Sequence, residues 1–497
     1  MQLAALIHGL PGVTVEGPVD VEVLGAPCTI IPGGLYIALP GRFYAGVRYG
    51  RRPRPRRSGA RRARRHRRRH HPRGGDGPAA GPPRKAMAAL AARIHRRPSR
   101  HLSTVGVTGT NGKTTVTTLL ADMTVAAGLP DGLIGTNGIR IAGQRRPAQL
   151  TTPEATDLQG LLAEMVEAGV PVAAMEVSSI VLAEDRCEAL DFAAAAFLNL
   201  TVDHLDYHGD MATYGAAKCR LFTDLLDPAA VAVINVEDAF GRSLADRLKH
   251  PLIWRLSLED PSADVYIRAL TLDASGCRGV LVTPRGELPF DCPLPGRYNA
   301  VNVATAGALA FAVDLPTGAI ARALHRAAIA GRMQPVPNHL GLLVVVDYAH
   351  SDDALLRAIE ALRPLTTGRL WCVFGCGGDR DATKRGPMGH AAATADAVVI
   401  TNDNPRSEDP AAIAAAALEG AVAAGRPEAA RPTPGHTWVC LDRRAAIAGT
   451  LAAAAAGDAV LIAGKGHENY QEIQGFRHPF DDVAVAREAL RALRGHP

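Results

Sequence analysis

One ten-residue stretch, GVTGTNGKTT from Gly106 to Thr115, restricts what this chain can become more than any other. Glycines at 106, 109 and 112 let a backbone curl around an anion; Lys113 brings a point charge and Thr114 a hydroxyl of the kind that reaches Mg2+. A β-rich run, Ser103–Val107, leads in, and a helix-forming run, Val116–Gly128, leads out. Strand, phosphate loop and helix in that order predict a mostly parallel α/β sheet that binds a nucleoside triphosphate. The first glycine of the common P-loop pattern would fall at Val107, so this is a variant loop.

The same rhythm recurs downstream. GLLVVVDYAH (341–350), LWCVFGCGG (370–378), DAVVITNDNP (396–405) and DAVLIAGKGHE (458–468) are apolar runs ending in polar loops. In parallel sheets, ligands gather at the carboxyl ends of strands, where these loops fall. We read three blocks: residues 1–100, 101–336 and 337–497. The net charge of +6 is misleading, because thirteen arginines and no acid lie between Arg51 and Arg73; without them it becomes −7. The eight cysteines include no CxxC pair, which points to a reducing, cytoplasmic setting, and no apolar run suggests a leader or a membrane span.

Ten motifs follow one another in order: TTPEATDLQ (151–159), MEVSS (175–179), LNLTVDHLDYHGD (198–210), YGAAKCRLF (214–222), GRYNAVNVATA (296–306), GRMQPV (331–336), VDYAH (346–350), FGCGGDRDATKR (374–385), DNPR (403–406) and GKGHENYQ (464–471). With GTNGKTT they closely resemble the Mur ligase family, and within it the members that add diaminopimelate. The resemblance runs from about residue 100 to the C-terminus. It implies three α/β domains: a small N-terminal UDP-binding domain, a central P-loop-type ATPase with a mostly parallel sheet, and a Rossmann-like C-terminal domain. It also implies ATP-dependent ligation of meso-2,6-diaminopimelate to the D-Glu of UDP-MurNAc-L-Ala-D-Glu through an acyl phosphate, in peptidoglycan precursor synthesis.

Roles come with the resemblance. Gly109, Thr110, Asn111, Gly112, Lys113, Thr114 and Thr115 would hold the phosphates of ATP, and Asn302, Arg332 and Asp347 the rest of the nucleotide. Arg332 would reach across from the end of the second block, placing the site between domains. Thr114 and Glu176 would bind one Mg2+; His204 and Lys218, the latter carbamylated, would serve a second. A carbamate converts a repelling ammonium into an oxygen ligand of the type Mg2+ prefers. Lys113, Glu176, His204 and Lys218 would be the catalytic set. Thr151, Thr152, Ser178 and Arg186 would meet the UDP-sugar peptide. Thr151–Glu154 also reads as a helix start, with Thr152 capping and Pro153 in first position.

Arg380, Asp403, Asn404, Pro405, Arg406, Gly464 and Glu468 would take diaminopimelate. This amino acid differs from lysine by one distal carboxylate, which matches the planar fork of an arginine. Pro405 fixes its own φ and biases Asn404 towards extended backbone, so Arg406 is presented on a stiffened loop. Glu468 suits the distal ammonium. The partners expected are small molecules, with a monomeric protein and no membrane or nucleic acid.

The first block departs from the family. Ala26-Pro27-Cys28 stands where an Asp-Ser-Arg run is usual, and the arginine tract replaces an α/β pattern until about residue 86. Loss and recovery of the pattern reads as two compensating frameshifts, which resequencing the coding DNA would test; a basic tether is the rival reading. Ile180 replaces a family histidine, Asp352 a proline, and FDDVAVA (480–486) stands for FDDREVA. Two functional rivals follow: a lysine-adding ligase, and an inactive or altered-specificity ATP-binding relative.

Overall fold

The computed structural model describes residues 7–8, 35–37, 61–63 and 82–493, apart from 149, 250 and 251. Ala26–Cys28 and most of the arginine tract lie outside the described residues. Within them, Leu35–Ile37 is a strand, as its apolar run predicts, and it pairs in parallel with Arg61–Ala63. Arg61–Ala63 lies inside the arginine tract. Ladder bonds come from backbone groups, so three residues can pair whatever their side chains.

Two units are distinguished. The first runs to Arg268 and adds 280–288 and 301–323; the second holds 269–279, 289–300 and 324–497. The first is built on an eight-stranded sheet. Its strand Ser103–Thr108 lies between Val172–Glu176 and Phe192–Phe197, parallel to both. Beyond Phe192–Phe197 come Leu226–Asn235 and Ile253–Leu256, also parallel. On the other side, Gly132–Gly135 runs parallel to Val172–Glu176, and antiparallel Gly138–Ile141 and Gln144–Arg146 close the sheet. Val105 and Val107 are fully buried, as expected for a strand covered on both faces. Helix Lys113–Ala126 buries Val116, Leu119, Leu120 and Met123, the spacing of one helical stripe. Tyr266–Asp273, Gly276–Thr283 and Gly286–Cys292 form a small sheet of their own.

The second unit has a seven-stranded sheet. Leu343–Asp347, Ala459–Ala463, Leu370–Phe374, Ala397–Ile400, Thr437–Val439 and Glu428–Ala429 run parallel in that spatial order, with Gln334–Pro335 antiparallel at the edge. All four polar loops picked out in the sequence leave the carboxyl ends of these strands.

Two sequence departures find local explanations. Ser351 caps helix Asp352–Leu362, its hydroxyl accepting from Ala354 N at 3.3 Å, so Asp352 occupies the first turn. A carboxylate there is favoured by the helix dipole and fills a position where proline is also tolerated. Ser351→Ala is expected to cost about 1 kcal/mol, read as a lower denaturant midpoint at unchanged slope. In FDDVAVA, Asp481 caps helix Asp482–Ala492 and Asp482 is buried against Arg443 at 2.7 Å. Arg443 also donates to Ala463 O (2.9 Å) and Asn402 O (3.3 Å), joining two of the polar loops from below. No helix among the described residues is long and apolar enough to cross a membrane.

Candidate active site

The phosphate loop sits between Ser103–Thr108 and helix Lys113–Ala126 with Gly109 at φ +153° and Gly112 at φ +91°. A side chain at 112 would collide with Asn302 Oδ1, so glycine there is a steric requirement that brings Asn302 against the loop. Asn111 and Asn199 hold each other: Asn111 N donates to Asn199 Oδ1 at 2.8 Å, and Asn199 Nδ2 to Asn111 O at 3.2 Å. Lys113 folds back, its ammonium donating to Gly109 O and Thr110 O, both at 2.9 Å. Thr110 Oγ1 lies 3.1 Å from Tyr214 OH and accepts from Thr201 N at 3.0 Å.

Lys218, expected at the second metal site, lies beside the phosphate loop. It is 1% exposed, reaches across from helix Met211–Arg220, and donates to Gly109 O at 2.9 Å. Its Nζ lies 4.4 Å from the centre of the Tyr214 ring. Burial, and then the charge of Lys113, push its pKa well down, so the amine is held towards its neutral form. His204, at φ +53°, meets the same Tyr214 ring edge-on, with centroids 6.0 Å apart, so His204 and Lys218 share one aromatic wall. Desolvation lowers the His204 pKa too.

Glu176 ends the neighbouring strand, paired in register with Val107, and is 1% exposed. Thr136 grips it twice, N to Oε1 at 2.7 Å and Oγ1 to Oε2 at 3.1 Å. Thr136 Oγ1 is also 3.3 Å from Thr151 Oγ1, and Thr152 Oγ1 donates to Glu176 O at 2.7 Å. Arg186 closes the group, donating to Thr152 O at 3.4 Å and pairing with Glu154 at 3.3 Å and with Glu184. Ser178 caps the short helix Ser179–Ala183. The expected cap at Thr152 is corrected: helix Ala155–Glu167 starts two residues later, with Glu154 as its cap residue and no side-chain cap bond. The Thr152 hydroxyl is turned instead to the end of a strand.

In the second unit, Asp347 accepts from Met333 N (2.7 Å) and Ala349 N (2.9 Å), while burial raises its pKa against the pull of Arg332. The Arg332 guanidinium stacks 4.8 Å over Tyr348, whose ring also meets those of His350 at 4.6 Å and His467 at 5.0 Å. His467 is pushed down to about 4 by burial, helped by Arg332.

The DNPR loop forms a second cluster. Arg406 adopts φ +51° and is bridged to Ile473: its N donates to Glu472 O at 2.9 Å and its O accepts from Gln474 N at 2.6 Å. Its Nη1 donates to Gly378 O at 2.6 Å. A Cβ on Gly377 would stand 3.2 Å from that Nη1 and 3.7 Å from Arg380 Cγ, so the two arginines flank one glycine. Asn404 is 2% exposed and donates Nδ2 to Glu468 Oε2 at 2.7 Å. Gly464 (φ +111°) passes close to Gly375 and Asp403. Sequence reasoning missed Asn199, Tyr214, Tyr348 and Lys465, which lie within the motifs quoted, and Thr136, which lies between two of them; only packing shows which way they turn.

The family description "Mur ligase middle domain" matches residues 107–310, and "Mur ligase, glutamate ligase domain" matches 331–466. A protein of Ectopseudomonas mendocina named UDP-N-acetylmuramoyl-L-alanyl-D-glutamate--2,6-diaminopimelate ligase is 45% identical over 409 residues, 82% of this chain and 81% of its own length. The chain belongs to the Mur ligase family. A second Mur ligase of the same name, from Xanthomonas oryzae, is 41% identical over 503 residues, covering 98% of this chain and 97% of its own. A solved Mur ligase structure, again of a protein named UDP-N-acetylmuramoyl-L-alanyl-D-glutamate--2,6-diaminopimelate ligase, superposes with a TM-score of 0.67 at 31% identity over 99% of both chains. MurF from Acinetobacter baumannii, at 17% identity and a TM-score of 0.60 over 99% of this chain and 98% of its own, shares the fold. The chain therefore has the α/β Mur ligase fold with mostly parallel sheets, and it is an ATP-dependent ligase.

Proposed function

We propose that this Mur ligase joins meso-2,6-diaminopimelate to the D-Glu carboxylate of UDP-MurNAc-L-Ala-D-Glu, using ATP, in the synthesis of peptidoglycan precursors. The observation that carries the specificity is the meeting of Asn404, Arg406 and Glu468 on one strand-end cluster, with donors for a carboxylate and an acceptor for an ammonium. Chemistry requires the rest. A carboxylate has no good leaving group, so its oxygen takes the γ-phosphoryl of ATP and ADP departs. The amine of the incoming amino acid then attacks the carbonyl carbon, the C–O bond to phosphate breaks with its electron pair leaving on phosphate, and the amine gives up a proton.

Each step brings anions together, and the chain supplies the compensation. Gly109–Thr115 and Lys113 cradle the triphosphate, with Asn302, Arg332 and Asp347 on the rest of the nucleotide. Arg332 stacked on Tyr348 suits a flat base or ribose edge. Thr151, Thr152, Ser178 and Arg186 hold the UDP-sugar peptide, Arg186 offering charge and Ser178 a helix start. Arg380, Asp403, Pro405 and Gly464 complete the amino-acid pocket around the three named residues. Glu176, buried and gripped by Thr136 beside the loop, fits Mg2+ together with Thr114; His204 and a carbamylated Lys218 fit a second ion. Mg2+, when bound, would offset charge on the phosphates. We place the protein in the cytoplasm, acting as a monomer on small molecules.

The test is direct. Purified protein with ATP, Mg2+, UDP-MurNAc-L-Ala-D-Glu and meso-diaminopimelate is expected to release phosphate and yield the tripeptide mass, with L-lysine a poor substitute. Absence of turnover with either amino acid would sink the reading in favour of an inactive relative.

A further inference from the structure

Lys465 has no role in the assignments above, yet it is completely buried at the carboxyl end of strand Ala459–Ala463. Its ammonium donates to Asn404 Oδ1 at 3.1 Å and to Glu468 Oε2 at 3.2 Å, lies 3.5 Å from Asp403 Oδ1, and sits 5.5 Å from the Tyr470 ring centre. Asn404 Oδ1 also accepts from Glu472 N at 2.9 Å. With two donors aimed at it, that atom must be the amide oxygen, so the Nδ2 group is compelled to face Glu468. Asn404 Nδ2 and Lys465 Nζ both land on Oε2 of Glu468. Among the described residues, Oε1 of Glu468 accepts no hydrogen bond. The charges follow the same logic: Lys465 offsets one of the two carboxylates, Asp403 and Glu468, and leaves the equivalent of one negative charge for a cation.

We propose that Lys465 is a positioning residue for amino-acid selection, resting on the function proposed above. It fixes the amide of Asn404 so that its second N–H can donate to a substrate carboxylate. It also pins Oε2 of Glu468, turning Oε1 towards a substrate ammonium. Lys465 touches no reacting atom; it acts through Asn404 and Glu468. The ligand class it selects for is an amino acid with a zwitterionic far end.

The experiment compares wild type with Lys465→Met, an uncharged side chain of similar length. The expected result is a rise of roughly tenfold in KM for meso-diaminopimelate, with KM for ATP and for UDP-MurNAc-L-Ala-D-Glu within about twofold of wild type. Combined with Glu468→Gln, the two effects on that KM should be less than additive, because both act on one carboxylate. If Lys465→Met does not fold by thermal melting, Lys465→Gln, which keeps a donor, takes its place with the same expected direction. An unchanged KM for diaminopimelate, equal rises in all three KM values, or full additivity would overturn the proposal. Wild-type turnover in the same assay separates its failure from failure of the proposed function.

Discussion

Replacing Lys218 by alanine is expected to lower kcat by about two to three orders of magnitude, with the protein still folded and still binding ATP. The amine is held at 1% exposure against Gly109 O, near the charge of Lys113. Such a site disfavours the ammonium. Its pKa is lowered, so the neutral amine persists as pH falls below the usual lysine range, until the depressed pKa is reached. Only the neutral amine adds CO2. The sign is therefore fixed: carbamylation is favoured above that depressed pKa and lost on acidification through it. Linkage runs the same way, because the unfolded state binds the proton more readily, so this group's contribution to stability falls as pH falls. Wild-type activity should drop in CO2-depleted buffer and return with bicarbonate, while the alanine variant responds to neither. Full activity of Lys218→Ala, or indifference of the wild type to CO2, would refute the carbamate.

The second large effect is on selectivity. Arg406→Ala is expected to reduce kcat/KM for meso-diaminopimelate about a hundredfold, because one or two charged hydrogen bonds of about 1.5–3 kcal/mol are lost. Turnover of L-lysine, which has no distal carboxylate, should change only a few-fold. Arg406→Lys keeps the charge but not the fork, and should recover only part of the loss. Stiffness of the loop has two sources. Pro405 supplies one, and the bridge of Arg406 to Ile473 the other, holding an arginine at φ +51° while Gly378 O orients its guanidinium. If the variant's preference between the two amino acids equalled that of wild type, the account of Arg406 would fall.

Much of this was legible before any coordinates. GTNGKTT dictated a strand, a loop and a helix because its glycines at 109 and 112 supply the positive φ that the loop requires, a local backbone preference. The apolar runs that end in DYAH, FGCGG, NDNPR and GKGHE became parallel strands because near-continuous apolar stretches must be covered on both faces, and their polar ends became loops on one edge. What the chain could not disclose was direction. Thr152 looked like a cap, and its hydroxyl turned instead to the carbonyl of Glu176. Lys218 was expected, from its motif, as a carbamylated lysine of a metal site, but its burial against Gly109 O was not legible. Lys465 was one letter in a motif until Asp403, Asn404 and Glu468 closed around it. Spacing along the chain determines which face of an element a residue occupies. Which partner it meets there depends on segments from 24 to 109 residues away, and only their packing together decides that.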